Sequence, residues 1–324
     1  MRLIKILAGL VVVLAVALFG TKAAFWPDLP RVDVVAKYAN AQSQFLFLPS
    51  GAVAHVRDEG RRGGTPVFLL HGSTASLHTW SPWVRALGHK YRLISIDLPG
   101  HGLTGAVPDR NYSVSAMARF VDEVAGELSL SRFVVVGNSM GGSVAMRYAL
   151  DHPEKVRALG LISSGGYKRD EEDGGSVGAF RLTDTAIGRW LMRHITPRNL
   201  VSRTMRLAVA DPDDFMTDEM IDRYWELLRM EGAREAITQR LADYRKYNAS
   251  GRSLEPRVGG ITAPTLIMWG TEDRLTPLRY GRRFAEIIPN SRLVVYNDVG
   301  HLAMEEIPER SADDMRRFLE SLPN

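Results

Sequence analysis

The pentapeptide Gly137-Asn138-Ser139-Met140-Gly141 sets a serine inside a G-x-S-x-G frame. Ahead of it, Arg132-Phe133-Val134-Val135-Val136 is apolar and β-branched and reads as a buried strand. Behind it, the run from Gly142 to Leu150 has helical composition and spacing. The glycines permit a turn so tight that the central residue is forced into a strained backbone conformation and projects from the sheet. A serine there also stands at the positive end of the following helix, where an oxyanion is stabilised. The chemistry this suggests is nucleophilic attack on a carbonyl.

A serine hydroxyl alone is a poor nucleophile at neutral pH, so a base and an orienting acid must follow. In chain order these should come as serine, acid, histidine, each just beyond a strand. Residues 265–270 read as a buried strand, and the loop after it carries Glu272 and Asp273. Residues 291–296 read as the next, followed by Asn297-Asp298-Val299-Gly300-His301. Ser139 is therefore assigned as nucleophile, His301 as general base and acid, and Asp273 as the carboxylate that orients the imidazole. Glu272 and Asp298 stay open as rival carboxylates. The oxyanion would be held by the backbone N–H of Met140 and by that of Ser73, in the loop His71-Gly72-Ser73-Thr74 after the apolar strand 67–70. One such donor contributes about 3–4 kcal/mol of transition-state stabilisation. His71 is expected to be structural, bonded to loop backbone.

Positioning these groups requires a sheet. Residues 45–48 and 52–57 form a hairpin pattern around Pro49-Ser50-Gly51, and strand patterns at 67–70, 92–97, 133–137 and 159–163 then alternate with helices. Such alternation predicts an α/β fold with a mainly parallel sheet of eight strands and helices on both faces. Ligands bind at the carboxyl ends of such strands, where every candidate residue falls. From 166 to 256 the rhythm stops and helical patterns take over, predicting a cap inserted over the active site, with core at 45–165 and 257–324. Met216, Met220, Ile221, Trp225 and Leu228 lie at helical spacings, so apolar residues should roof the cleft. Trp80 and Trp225 are the expected substrate-binding aromatics.

Together these motifs resemble the α/β-hydrolase fold family, over most of the chain from Phe45. The resemblance also takes in Asp97-Leu98-Pro99-Gly100-His101-Gly102 and Trp269-Gly270-x-x-Asp273-x-x-x-Pro277. It implies that Asp97 supports its loop rather than the chemistry. Haloalkane dehalogenases and most epoxide hydrolases of this kind carry aspartate at the turn, so Ser139 argues against both. The turn Gly-Asn-Ser-Met-Gly-Gly is similar to that of meta-cleavage C–C bond hydrolases. Those tend to have a Gly/Pro-rich segment after His-Gly and tryptophan after the catalytic histidine, where this chain has Ser73-Thr74-Ala75-Ser76 and Leu302. The run from His71 to Trp80 looks more like serine carboxylesterases and lipases. The expected activity is hydrolysis of carboxylic esters with an apolar acyl group, through a Ser-His-Asp triad and an acyl-enzyme. The alternatives are C–C bond hydrolysis, or cofactor-free acyl transfer or perhydrolysis.

Composition bounds the rest. A hydrophobic fraction of 45% supplies a large core, and the absence of cysteine excludes disulfides and a thiol nucleophile. The eight histidines show no helical pairing that would hold a metal, and no cofactor is expected. The net charge of +4 is spread among acids, as in Arg169-Asp170-Glu171-Glu172-Asp173, which argues against a nucleic-acid partner. Residues 1–25 form a segment of their own. An uncharged apolar run from Ile6 to Thr21 lies between Lys5 and Lys22, with Trp26 just beyond. As a helix it spans about 24 Å, and snorkelling lysines extend its reach toward a ~30 Å hydrocarbon core. The reading is an uncleaved single-pass anchor in the cell membrane with the catalytic part outside, because Arg2 and Lys5 favour a cytoplasmic N-terminus. The alternative is a cleaved signal peptide. A linker is expected over 26–44.

Overall fold

The computed structural model describes residues 26–168, 170, 185–249 and 253–323. In chain order the main elements are α1 (Arg31–Tyr38), β1 (Ser43–Phe47), β2 (Val53–Gly60), β3 (Pro66–Leu70), α2 (Ser81–Leu87), β4 (Arg92–Ile96), α3 (Val114–Glu127), β5 (Phe133–Asn138), α4 (Met140–Asp151) and β6 (Val156–Ile162). There follow α5 (Ala186–His194), α6 (Arg198–Arg206), α7 (Pro212–Phe215), α8 (Asp218–Leu228), α9 (Ala233–Ala249), β7 (Thr265–Gly270), α10 (Leu278–Ile287), β8 (Ser291–Tyr296), α11 (Ala303–Glu306) and α12 (Pro308–Glu320). The strands form one sheet in the order β1-β2-β4-β3-β5-β6-β7-β8. β2 runs antiparallel to both its neighbours, and every other pairing is parallel.

Central strands of such a sheet are covered on both faces, which is why β3 and β5 are nearly continuous apolar runs rather than alternating ones. Their side chains still alternate by face. Phe68, Leu70, Phe133 and Val135 join Met117, Val121, Val144 and Phe284 in the core beneath α3, α4 and α10. Val67, Leu69, Val134 and Val136 join Trp80, Trp83, Met315 and Phe318 on the opposite face, beneath α2 and α12. The sheet is thus clamped between two cores, and its carboxyl edge is held rigidly.

Between β6 and β7 the described residues contain helices and no strand. Helix α8 starts where the Thr217 hydroxyl accepts from the Met220 N–H, an N-cap that the sequence Thr-Asp-Glu announces. The expected linker over 26–44 is instead ordered structure. Pro30, with φ −54°, sits at the N-cap position of α1, where its ring favours helix entry. Leu29 exchanges backbone hydrogen bonds with Arg229 and Glu231, Arg234 holds Asp28 at 2.6 Å, and Arg31 donates to the Leu103 carbonyl. This segment therefore straps the cap to the core. The expected membrane anchor, residues 1–25, lies outside the described residues, and among those described no helix is long and apolar enough to cross a membrane.

Candidate active site

Ser139 follows the last residue of β5 and precedes the first of α4, with φ 52° and ψ −116°. A positive φ is strained for a side chain other than glycine, and the surroundings enforce it. At Gly141 a Cβ would lie 2.1 Å from the Leu70 carbonyl oxygen, so any larger residue would push α4 off β3. The loop after β3 comes equally close. A Cβ on Gly72 would stand 3.2 Å from that of Ser139 and 2.8 Å from Asn138 Oδ1. Glycine at 72 is what lets this loop draw alongside the serine. The backbone N–H groups of Ser73 and Met140 have no hydrogen-bond partner among the described residues. For Met140 this follows from its place at the first position of a helix. Two unspent donors in the segments flanking Ser139 are the ones an oxyanion hole at this serine would use.

His301 and Asp273 converge from the loops after β8 and β7. His301 Nδ1 lies 2.8 Å from Asp273 Oδ2, and both side chains are almost wholly buried. The second carboxylate oxygen accepts from the N–H groups of Leu275 and Thr276, at 2.9 and 2.8 Å. The Thr276 hydroxyl donates to Oδ2 at 2.6 Å and lies 3.1 Å from His301 Nδ1. Burial on its own would raise the Asp273 carboxyl. The imidazole and the Thr276 donors outweigh it and hold the group below its ordinary range, so it is a carboxylate at neutral pH. With Nδ1–H committed to that carboxylate, Nε2 is left as the basic nitrogen. Ser139 and His301 line one cavity. Ser139 Oγ is in no hydrogen bond among the described residues; serine–histidine bonds of this kind commonly tighten only in the complex with substrate.

The rival carboxylates separate clearly. Glu272 and Asp298 are both exposed, and Asp298 sits at a φ of 58° in the turn that delivers His301. His301 is braced from two directions. Its N–H donates to the Ala208 carbonyl in the cap, its carbonyl accepts from Asn138 Nδ2, and Glu306 accepts from the N–H groups of Gly300 and Leu302. Asp97 also behaves as the resemblance implied. Its carboxylate binds His55 Nδ1 at 2.6 Å and the N–H groups of Leu77 and Leu103, pinning two loops to β2. His71 is buried, donates through Nδ1 to the Gly72 carbonyl and accepts through Nε2 from the Leu98 N–H. Burial holds it neutral, as a loop brace.

The two expected substrate-binding aromatics are corrected. Trp80 is fully buried against Trp83, ring centroids 5.4 Å apart, on the face of the sheet away from α3 and α4. The short helical turn Leu77–Trp80 swings it inward before it can reach the cleft. Trp225 lines neither the cavity at Ser139 nor the larger one in the cap. Its indole donates to the Thr196 carbonyl at 2.7 Å, meets the edge of Trp26 and carries the Arg229 guanidinium 4.3 Å from its ring. It fastens the N-terminal strap rather than the substrate. Apolar residues lining the cavity at Ser139 are instead Met205, Val209, Phe215, Met216, Met220 and Leu302. Met216 and Met220 belong to the helical pattern that pointed to a roof.

That cavity, of about 90 Å³, shares Thr74, Thr204, Met205 and Tyr224 with a larger one of about 460 Å³. The larger one runs into the cap between α5, α6 and α9, past Leu191, Ile195, Leu200, Leu228, Ile237 and Leu241. Thr276, Asn138 and Tyr224 went unrecognised in the sequence. Only Thr276 left a trace there, as a hydroxyl three residues after an acid in a loop.

Comparison with known proteins fits this architecture. A profile of the alpha/beta hydrolase fold matches residues 65–308. The chain is a member of the α/β-hydrolase fold family. It is an enzyme of the hydrolase type. A 2-hydroxy-6-oxononadienedioate/2-hydroxy-6-oxononatrienedioate hydrolase of Cupriavidus pinatubonensis is 32% identical over 284 residues, covering 85% of this chain and 94% of the relative. Among solved structures, a variant of the meta-cleavage product hydrolase from Pseudomonas fluorescens superposes with a TM-score of 0.73 at 22% identity, over 87% of this chain and 99% of that one. A bacterial membrane phospholipase A gives 0.72 at 23% identity, over 99% of this chain and 98% of its own. At these identities the two structures speak for the fold.

Proposed function

We propose that this hydrolase cleaves carboxylic esters with a long apolar acyl chain, with Ser139, His301 and Asp273 as its triad. The observation that carries the reading is the apolar cavity inside the cap, joined to the cleft at Ser139 through four common residues. The ester carbonyl oxygen turns toward the N–H groups of Ser73 and Met140. Ser139 Oγ attacks the carbonyl carbon while His301 Nε2 takes its proton. The tetrahedral intermediate collapses as the imidazolium returns that proton to the leaving alcohol, giving an acyl-enzyme. Water, deprotonated by the same nitrogen, releases the acid and restores Ser139.

On p-nitrophenyl esters of graded length, kcat/KM is expected to rise about fourfold per methylene from butanoate until the cavity is filled. A flat profile, or a preference for acetate, would overturn the acyl-pocket assignment. The curated relative favours a second reading, C–C bond cleavage of a 2-hydroxy-6-oxo-dienoate on the same triad. Turnover of such a dienoate faster than of any ester in the series would make that the activity. We further propose that residues 1–25 tether the enzyme to the cell membrane with the catalytic part on the outer side, which suits a lipid-like substrate. Full-length protein should sediment with membranes through an alkaline carbonate wash and lose that association when residues 1–25 are deleted. A full chain released by the wash refutes the anchor.

A further inference from the structure

Arg240, on the cap helix α9, is 7% exposed, and no carboxylate among the described residues supports its charge. One terminal nitrogen donates to the Ser73 hydroxyl, and its buried Nε has no hydrogen-bond partner among the described residues. Burial pulls the guanidinium down to about 10, with only Tyr244 opposing, so it is still a cation at neutral pH. Leaving a buried cation unpaired is costly, and holding the Ser73 hydroxyl does not demand one; a neutral amide would serve. The charge needs another explanation.

The cavity beside it supplies one. Arg240 lines a space of about 250 Å³ with Tyr112, Met140, Ser143, Tyr244 and Leu254. This space abuts the first turn of α4 on the side of Met140, whereas the cleft that leads to the acyl cavity lies with Ser73, Thr74 and His301. Among the described residues two other charged groups border it. Arg147 is spent on Asp151 at 2.5 Å, and Asp243 is exposed. Neither neutralises the buried guanidinium. Its walls are otherwise largely apolar, so an anion inside would be poorly hydrated and strongly attracted.

We propose that this cavity is an anion subsite, in which Arg240 binds a phosphate or carboxylate carried by the part of the substrate that does not enter the acyl cavity. The inference rests on Ser139 as the nucleophile and narrows the substrate to an amphiphile, apolar at one end and anionic at the other. Because Arg240 also holds Ser73, an anion bound there would meet a guanidinium already fixed beside the oxyanion loop.

Two probes separate the possible anions: glycerol 3-phosphate for a phosphorylated alcohol, and sorbate for a dienoate carboxylate. At least one is expected to raise the melting temperature of the full-length protein by roughly 3–6 °C near saturation. Arg240→Met should abolish the shift, and Arg240→Lys should weaken apparent affinity about tenfold, since ammonium replaces the guanidinium as a point charge. In kinetics, Arg240→Met should lower kcat/KM for an acylglycerol phosphate about 100-fold more than for the monoacylglycerol with the same acyl chain. A purely structural Arg240 would depress both alike. The proposal fails if neither anion stabilises the wild type, if the shift survives in Arg240→Met, or if both esters lose equally. Should Arg240→Met not fold, undiminished affinity in Arg240→Lys is the overturning result. Fluorophosphonate labelling of Ser139 keeps the tests apart. Normal labelling without anion binding refutes the subsite alone, and anion binding without labelling refutes the nucleophile alone.

Discussion

Ser139→Ala should lower hydrolysis by on the order of 10⁵–10⁶-fold and abolish labelling by a fluorophosphonate. In barrier terms this is about 7–8 kcal/mol, the largest effect any single side chain here should produce. Alanine removes the attacking oxygen but keeps the Cβ that the strained turn already accommodates, so the melting temperature should hardly move. The residual rate would come from the Ser73 and Met140 N–H groups and from substrate binding, which the substitution leaves in place. A Ser139→Ala protein, purified free of host esterases, that retains wild-type kcat would disprove the mechanism outright.

Asp273→Asn should cost about 10⁴-fold in kcat. The introduced amide could offer an N–H to His301 Nδ1 where the carboxylate accepts one, forcing the proton onto Nε2 and leaving no base toward Ser139. Asp298→Asn and Glu272→Gln should be close to neutral, since both acids are exposed. Loss of activity in Asp298→Asn with Asp273→Asn unharmed would transfer the role. Stability gives an independent check. The folded Asp273 carboxyl titrates below its ordinary value of 3.8, so the unfolded chain takes up its proton first as pH falls. The stabilisation is present above that value and is lost as pH drops through the folded one. Asp273→Asn should therefore flatten the acid limb of the stability curve. An unchanged limb would mean that the carboxylate is not held as described.

Much of the site was legible because its requirements are local. The turn at Ser139 needs small residues at 137 and 141 and a strand and a helix on either side, all between Phe133 and Asp151. The order of acid and histidine follows from strand succession, and the eight strands were readable as apolar runs between turns. Choosing Asp273 over Glu272 and Asp298 was another matter. Spacing puts all three in suitable loops. Only the folded backbone turns Asp273 inward, beneath Thr276, and leaves the others in solvent.

The tryptophans mark the same boundary. Trp80 and Trp225 have the right chemistry for a pocket, but a residue's period along the chain says which neighbours share its face and not what that face meets. The twist of the turn Leu77–Trp80 sent one into the core, and docking of the N-terminal strap covered the other. The strap itself reads as a linker because its prolines suggest detachment, whereas Pro30 opens a helix.

The sequence by itself determined the sheet, the elbow that bears Ser139 and the order of its partners, because short-range sterics and hydrophobic periodicity specify those features. The tertiary structure alone decided which acid faces His301, where the acyl cavity runs, and that Arg240 of the cap reaches Ser73 of the core. Those depend on contacts between segments far apart in the chain, whose meeting is governed by how the cap settles on the sheet and not by any local pattern of residues.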